Sequence, residues 1–599
     1  MTLWQEDAFA SDGSKATNLI VVIHGLWGSS AKLGSVAAAA AEAIVGSDVY
    51  VPTMPYSGLL GAMNSASPSE IVCALVAAIG ALDTEQKRKH GESYQRIYLI
   101  GYSVGALVAR KAALVAHGEL ADAPFEPGYE RWKVKQDWAD RIERIVLLGG
   151  ISKGWSAQSS DNWLTSTIWN IGVFFATMLP ARRGMLMEAR FGLPFPVQTR
   201  LQWLALGRRP NSRMLPIVQL LGSRDNVVSP DDMMDVAVDG VASGSHALLD
   251  MPATGHGDTV KMGDEAGADV RRRLLQDALT QSIDALACHD RAISSALLSD
   301  GSTPQPENEV TDVVFVVHGI RDKGFWAAKV AREIKRVAAA RPLSDGRRRH
   351  VRSMTESYGY LAMLPFVWVG VRRMKAAWLM DRYVDAKARY PSAKFHFVGH
   401  SNGTYLAARS LRDYPAAIFE RIVFAGSVVR SGFEWEKLIT KAHPQVQAVL
   451  NYVASNDLVV GIFPAALGWF DLGGAGHAGF QDIHLHPKGA KVPRVFAKMI
   501  GQQTSYQVHF SRGGHGSAIV ETQWDEIADF IVSGDAPPSQ NPDFVGEQTM
   551  IAKILGTHPP FGLAVCLVLY AALAVLVGWL SPFALAGLVV LTAIIVSRF

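Results

Sequence analysis

The first half of the chain alternates short apolar runs with longer stretches of high helix propensity. Apolar runs at residues 19–23 and 97–100, preceded by Asn18 and Arg96, are typical of strands buried on both faces of a parallel sheet. Further short runs predict strands at 49–52, 144–150, 215–221 and 247–251. One helix is predicted after the first strand and its loop, ending at about residue 45, and another from residue 67 to about residue 89. Strands alternating with helices predict a doubly wound α/β sheet, with functional residues at the carboxyl ends of the strands.

The second half repeats this pattern. Apolar runs predict strands at 312–317, 394–398, 421–426, 449–454 and 506–510. A stretch rich in Ser, Pro and Gly separates the two halves and is typical of a linker. We therefore predict two tandem α/β domains, at residues 1–288 and 310–534, joined by a linker at 289–309.

The C-terminal pattern is different. Residues 535–560 are rich in polar and turn-forming residues and are expected to form a tether. Residues 561–580 carry no charge and would span about 30 Å as a helix, and a second uncharged run follows a Ser-Pro turn. The sequence predicts a transmembrane hairpin at 561–597. Because Lys553 and Arg598 flank it, we expect both domains on the cytoplasmic side of a bacterial inner membrane.

Composition narrows the function classes. A net charge of +3 over 599 residues gives no reason to expect nucleic-acid binding. The three cysteines, Cys73, Cys288 and Cys566, are scattered and predict a reducing compartment without a disulfide framework. No signal peptide is apparent at the N-terminus. We predict no cofactor, and the oligomeric state stays open.

Each half contains a G-x-S-x-G motif between a predicted strand and a predicted helix. Ser103 stands in the first motif, at residues 101–105, and Ser401 stands in the second, at residues 399–403. A serine in a sharp strand-to-helix turn is exposed for nucleophilic attack, and the glycines let the backbone fold tightly. The spacing therefore predicts two nucleophile elbows.

An acid and a base follow later strands in the same order in each half. Asp225 and His256 follow the strands at 215–221 and 247–251, and Asp457 and His515 stand at the corresponding places in the second half. A serine becomes a nucleophile when a histidine takes its proton and a carboxylate orients that histidine. The sequence predicts two triads: Ser103, Asp225 and His256, and Ser401, Asp457 and His515.

The first region, from about 18 to 287, resembles the serine esterases and lipases of the α/β-hydrolase superfamily. The second resembles a poorly described bacterial group of α/β hydrolases, on the loop at 318–326 and its elbow. The resemblance implies oxyanion holes formed by the backbone N–H groups of Leu26 and Val104 in the first domain. In the second domain it implies those of Ile320 and Asn402.

Other histidines and carboxylates stand near the predicted sites. We expect His24 to fix the backbone of the oxyanion loop, and His246 to lie at the opposite end of the sheet from Ser103. His477 is the rival base in the second domain. Other polar residues are read as ordinary loop or capping residues, and no metal site is predicted from them: Asp231, Asp232, Asp482, His484 and His486.

Two apolar blocks leave alternatives open. A cap insertion at about 151–213 contains an aromatic, uncharged stretch at 163–180, which is either a lid over a lipid-sized pocket or an ordinary buried cap helix. A block at 358–380 either lines an acyl pocket or packs between the domains. The sequence predicts a membrane-anchored serine hydrolase acting on lipid or acyl esters through an acyl-enzyme. An acyltransferase or thioesterase, and a non-catalytic membrane scaffold, are the alternatives.

Overall fold

The computed structural model describes residues 8–10, 16–26, 28–57, 66–155, 184–209, 214–225, 227–228, 235, 245–293, 306–320, 325–355, 366, 368–480, 495–498, 510–534, 544–545, 548–581, 583–588 and 590. The chain forms two compact units. Unit 1 comprises Met1–Pro306, Met380–Arg389 and Tyr414–Ala416, and unit 2 comprises Glu307–Leu379, Tyr390–Asp413 and Ala417–Phe599.

Unit 1 is built on a seven-stranded sheet in the order β1-β3-β2-β4-β5-β6-β7. All neighbouring pairs are parallel except the antiparallel edge strand β1. The strands are β1 (Ala8–Ala10), β2 (Asn18–Ile23), β3 (Ser47–Val51), β4 (Arg96–Tyr102), β5 (Ile142–Leu148), β6 (Ile217–Gly222) and β7 (His246–Met251).

The helices of unit 1 cover the sheet and bury its apolar strands. They are α1 (Gly34–Ala43), α2 (Pro68–His90), α3 (Val104–His117), α4 (Met185–Glu188), α5 (Pro194–Gly207), α6 (Ala268–Thr280) and α7 (Ile283–Ala287). Helix α2 begins with a capping box formed by Ser67 and Glu70, which satisfies backbone N–H groups that a helix start otherwise leaves unpaired. Helices α1 and α6 pack together against β2, β4 and β5 in one core cluster.

Unit 2 is built on a six-stranded sheet in the order β13-β12-β11-β10-β8-β9. The run β9-β8-β10-β11-β12 is parallel and has the same order as β3-β2-β4-β5-β6 of unit 1, whereas β13 is antiparallel. The strands are β8 (Asp312–Val317), β9 (Val351–Met354), β10 (Lys394–His400), β11 (Arg421–Ala425), β12 (Ala448–Tyr452) and β13 (Val495–Lys498). A separate antiparallel pair is formed by β14 (Phe510–Ser511) and β15 (Phe544–Val545).

The helices after residue 320 are α8 (Phe325–Ala340), α9 (Val369–Arg389), α10 (Asn402–Asp413), α11 (Trp435–Ile439), α12 (Leu458–Ala466), α13 (Ala475–Ala478), α14 (Trp524–Ser533), α15 (Met550–Thr557) and α16 (Pro559–Leu580). Helix α8 packs against α14 over a core that includes Val314, Val398 and Leu450. The α/β fold class predicted from the sequence is confirmed in this form: two largely parallel sheets with helices.

The tail differs in part from the expectation. The stretch 535–560, expected to be a tether, contains β15 and α15, and Thr549 caps α15 by accepting the N–H of Ala552. Helix α16 is long and apolar enough to cross a membrane, with a mean hydropathy of 2.6. The second half of the predicted hairpin lies mostly outside the described residues.

Several predicted features fall outside the residues that the structure describes. They are the apolar stretch at 163–180, most of the linker, Asp231 and Asp232, Asp482, His484 and His486, residues 358–365 and 367 of the second apolar block, and all but Phe510 of the strand expected at 506–510.

Candidate active site

The first G-x-S-x-G motif forms the turn between β4 and α3. Ser103 has φ of 53° and ψ of −119°, a conformation that side-chain-bearing residues rarely adopt. The motif glycines are required by space: a Cβ on Gly101 would lie 2.5 Å from the carbonyl oxygen of Gly105, and one on Gly105 would lie 2.4 Å from that of Ile23. The strained turn lifts the serine hydroxyl to the carboxyl end of the sheet, at the start of α3.

The predicted acid and base meet this serine. His256 Nε2 lies 3.1 Å from Ser103 Oγ, and His256 Nδ1 lies 2.7 Å from Asp225 Oδ2. The other carboxylate oxygen, Asp225 Oδ1, accepts the backbone N–H groups of Val227 and Val228 at 2.9 and 3.0 Å. The structure therefore joins hydroxyl, imidazole and carboxylate in one continuous hydrogen-bonded row.

Burial and packing orient this row. The Asp225 side chain is only 1% exposed, so little water competes with the hydrogen bond by which it orients His256 Nδ1. Tyr102 packs on the His256 ring at 5.2 Å between centroids and donates its hydroxyl to the His256 carbonyl oxygen at 3.3 Å. Burial, together with the charge of Asp225, raises the pKa of Tyr102 well above its usual range, so this hydroxyl keeps its proton.

Sequence reasoning missed one residue beside the base. Gly149, directly after β5, has φ of +49°, and a Cβ there would lie 3.3 Å from His256 Nδ1 and 3.5 Å from Asp225 Oδ2. The only sequence signal is a Gly-Gly pair after a strand, which by itself predicts a turn. A glycine at this position leaves the imidazole room to sit between serine and carboxylate.

The loop after β2 lies against the nucleophile. A Cβ on Gly25 would lie 2.8 Å from Ser103 Cβ, so the loop that contains Gly25 and Leu26 passes next to the serine. Val104, the residue after Ser103, begins α3. His24 Nδ1 lies 2.7 Å from the Gly25 carbonyl oxygen and its Nε2 accepts the Met54 N–H at 2.9 Å. The prediction that His24 fixes this loop is confirmed. Burial lowers its pKa, which favours the neutral ring that these two bonds require.

The second elbow repeats the first. Ser401 has φ of 52° between β10 and α10, and a Cβ on Gly319 would lie 2.7 Å from Ser401 Cβ. His318 Nδ1 lies 2.7 Å from the Gly319 carbonyl oxygen, as His24 does in unit 1. Ile320 follows this loop and Asn402 begins α10, so both predicted oxyanion-hole residues are adjacent to the elbow.

The acid and base of unit 2 are paired, but the contact with the serine differs. Asp457 Oδ2 lies 3.0 Å from His515 Nδ1, and Asp457 Oδ1 accepts the Val460 N–H at 3.0 Å. Within the described residues, no hydrogen bond joins His515 to Ser401, whose residue exposure is only 7%. The hydrogen bond between Asp457 and His515 is thus already formed, whereas the one between His515 and Ser401 is not.

Two features flank His515 as their counterparts flank His256. His400 takes the place of Tyr102, with rings 4.8 Å apart and His400 Nε2 lying 3.3 Å from the His515 carbonyl oxygen. Gly426 takes the place of Gly149 with φ of +54°, and a Cβ there would lie 2.7 Å from His515 Nδ1.

The two rival histidines occupy different places. His246 is the first residue of β7, at the end of the sheet opposite Ser103. His477 lies buried in α13 against Gly461 of α12 and Gly556 of α15 and is a neighbour of Asp457; burial lowers its pKa, and Asp457 acts in the opposite direction. Across the described residues, no group of three or more His, Cys, Asp or Glu side chains is placed to hold a metal ion.

Comparisons with known proteins point to one family. Residues 20–266 match the model of the alpha/beta hydrolase family. The match covers the elbow, Asp225 and His256, which supports the superfamily assignment made from the motifs. No curated protein matches the sequence.

This chain is also similar to solved structures, among them three of low sequence identity. A putative non-heme bromoperoxidase from Mycobacterium tuberculosis is 15% identical, covering 46% of this chain and 96% of that one, with a TM-score of 0.27. A monoacylglycerol lipase from Paleococcus ferrophilus is 13% identical, covering 46% and 100%, with a TM-score of 0.29. An inhibited esterase B from Lactobacillus rhamnosis is 12% identical, covering 46% and 79%, with a TM-score of 0.31. These likenesses carry no argument about what the chain does.

Proposed function

We propose that this protein, an α/β hydrolase over residues 20–266, is a serine hydrolase that cleaves carboxylic esters through an acyl-enzyme. The observation that carries the proposal is the row Ser103 Oγ–His256 Nε2–His256 Nδ1–Asp225 Oδ2, with distances of 3.1 and 2.7 Å. A serine, a base and an orienting acid at these distances are the arrangement that acyl transfer requires.

The chemistry follows from the geometry. Ser103 Oγ attacks the ester carbonyl carbon while its proton passes to His256 Nε2, and the N–H on Nδ1 stays bonded to Asp225. The negative charge that develops on the carbonyl oxygen is stabilised by the backbone N–H groups of Leu26 and Val104. When the C–O bond breaks, the leaving alcohol takes the proton from Nε2. Water then attacks the acyl-enzyme by the same steps and releases the acid.

We extend the proposal to Ser401 as a second nucleophile, with Asp457 and His515 and with the N–H groups of Ile320 and Asn402 as the oxyanion hole. The strained elbow and the 3.0 Å acid–base pair support this. Because His515 makes no hydrogen bond to Ser401, the ring has to move toward the hydroxyl during reaction. Apo sites often have looser catalytic hydrogen bonds than their complexes.

The substrate class we propose is a lipid or other long-chain acyl ester, with the protein anchored in a membrane by α16. Helix α16 begins at Pro559, which lines a cavity of about 440 Å³ together with Arg430, Trp469 and His477. Trp469 is 99% exposed, and an exposed tryptophan and an arginine beside an apolar helix suit the membrane–water interface. These features support an enzyme that meets its substrate at the membrane surface.

Single serine variants test the proposal. The Ser103→Ala and Ser401→Ala proteins should be assayed against acyl esters of graded chain length. We expect Ser103→Ala to abolish the hydrolysis of long-chain esters and Ser401→Ala to spare most of it. This follows from the cap insertion of the first domain, since each buried methylene adds about 0.8 kcal/mol of binding. Full activity of the variant that lacks both serines would refute the function, and loss of long-chain activity in Ser401→Ala would refute the division of labour.

A further inference from the structure

The acid loop and the base loop of unit 2 are tied to each other by backbone hydrogen bonds. Ser455 N–H donates to the Ser511 carbonyl oxygen at 2.8 Å, and Asn456 N–H donates to the Gly513 carbonyl oxygen at 2.9 Å. Gly513 N–H donates in return to Ser455 Oγ at 3.1 Å. Asp457 and His515 follow directly on these loops, so the three bonds set their separation.

Unit 1 contains the same three bonds. Ser223 N–H donates to the Met251 carbonyl oxygen at 3.1 Å, Arg224 N–H to the Thr254 carbonyl oxygen at 3.0 Å, and Ala253 N–H to Ser223 Oγ at 2.8 Å. There, however, the base loop extends from β7, whose six residues pair in parallel with the whole of β6. The base loop of unit 1 is therefore supported by the central sheet.

The described part of unit 2 contains a further support for its base loop. The antiparallel strand β13 lies beside β12, and Ser511 of β14, the strand that leads to His515, forms a parallel bridge with Ala454. Both described residues of β14 also pair with β15, from the C-terminal segment. The C-terminal segment thus adds backbone pairing to the strand that precedes the base.

The same segment also holds the acid loop. Thr549 N–H donates to the Ser455 carbonyl oxygen at 2.9 Å, and Thr549 Oγ1 donates to Asn456 Oδ1 at 2.9 Å. Four residues earlier the chain is paired with the base loop, and immediately afterwards α15 packs against α12, the helix that Asp457 caps. Gly556 of α15 lies so close to the His477 ring that a Cβ would sit 1.8 Å from Nε2, so this contact requires glycine.

We infer that Thr549 is a positioning residue of the second site, and that residues 544–545 and 548–557 act as a strap that holds Asp457 and His515 in register. The inference rests on the proposed role of Ser401. The strap continues into the apolar helix α16, which begins two residues after α15 ends. The second site therefore depends on a docked C-terminal segment, whereas the triad of unit 1 is held by bonds within its own sheet.

The test compares Thr549→Val and Thr549→Ser in the full-length protein. Valine keeps the size but loses the hydroxyl that bonds Asn456 and caps α15, and serine keeps the hydroxyl. The readout is the rate of fluorophosphonate labelling at Ser401 and at Ser103 in the same molecule. We expect Thr549→Val to slow Ser401 roughly fivefold to tenfold, the loss of about one hydrogen bond, with Ser103 unchanged and with the Ser401 rate restored by serine.

Thr440→Val is the matched control, because the Thr440 hydroxyl bonds only within its own helix end, to the Glu436 carbonyl oxygen at 2.7 Å. An unchanged Ser401 rate in Thr549→Val, equal slowing in Thr549→Ser, or parallel slowing of Ser103 would each overturn the inference.

A second measurement separates the strap from the catalytic role. If Ser401 is unlabelled in the wild type, the proposed function of that site fails, and hydrogen exchange then tests the strap alone. We expect Thr549→Val, but not Thr440→Val, to speed deuterium uptake at the amides of Ser455, Asn456, Ser511 and Gly513, because these amides are hydrogen-bonded in the acid and base loops. Unchanged uptake there would refute the strap whatever Ser401 does.

Discussion

Adding one methyl group beside His256 or beside His515 should slow the labelling of the neighbouring serine to different extents at the two sites. Gly149 and Gly426 hold equivalent places with φ of +49° and +54°. An alanine in this left-handed region costs about 1–2 kcal/mol, and this backbone cost is nearly the same at both positions. The contacts differ: the new Cβ would lie 3.3 Å from His256 Nδ1 but 2.7 Å from His515 Nδ1. The variants Gly149→Ala and Gly426→Ala therefore differ chiefly in how far they displace the ring.

The expected slowing of each labelling reaction follows from these distances. An ordinary contact begins at 3.4 Å, so His256 has to withdraw by about 0.1 Å and His515 by about 0.7 Å. A misplacement of about 1 Å in a catalytic group costs roughly 100-fold in rate. We expect Gly426→Ala to slow the labelling of Ser401 by several tens-fold. Gly149→Ala should slow that of Ser103 by only a few-fold.

The assay is the rate of fluorophosphonate labelling at each serine, read by mass spectrometry of the two serine-containing peptides. Each site serves as the internal control for a variant of the other. Gly34→Ala and Gly432→Ala are matched controls, because a Cβ at either position meets nothing within 4 Å. Slowing of Ser103 by Gly149→Ala that equals or exceeds the slowing of Ser401 by Gly426→Ala would refute the steric reasoning.

Three further predictions follow. Asp225→Asn should slow the labelling of Ser103 roughly 10⁴-fold, because an amide no longer holds the His256 tautomer that accepts the serine proton; a near-normal rate would contradict this. Burial lowers the pKa of His24 from 6.5, so the stability that the neutral ring contributes is present above that pH and is lost as the pH falls. The urea midpoint of His24→Gln should therefore drop less than that of the wild type between about pH 7.5 and about pH 5.5. An equal drop in the two proteins would count against this role of His24. In vesicles of brominated phospholipid, Trp469→Phe should reduce the quenched fraction of tryptophan fluorescence and Trp435→Phe, at a buried position, should not; equal effects would argue against Trp469 at the interface.

The fold and the two rows of candidate side chains could be predicted because their signals are local. A buried parallel strand is a short run rich in apolar residues, and an elbow is five residues with two glycines, so β2, β4, β8 and β10 could be located from the sequence. The order of acid and base then followed from which strand each one succeeds. His24 could be assigned to the oxyanion loop because it stands where β2 ends.

Features that depend on distant contacts left no such signal. The edge strands β1, β9 and β13 are short and have no long apolar run, so nothing in the sequence distinguishes them from loops. The need for glycine at 149 and 426 arises from a ring some hundred residues away in the sequence. The docking of residues 544–545 and 548–557 rests on backbone pairing and one threonine hydroxyl, whereas a composition rich in turn formers favours a tether.

The most direct test of the account is covalent labelling of the full-length protein with a fluorophosphonate, followed by identification of the modified residues. We expect the probe to modify Ser103 and Ser401 and to leave the Ser103→Ala/Ser401→Ala protein, folded as judged by its circular dichroism, unmodified. A folded wild type that reacts at neither serine would contradict the claim that these rows of side chains are active sites, and so would labelling that persists in the double variant.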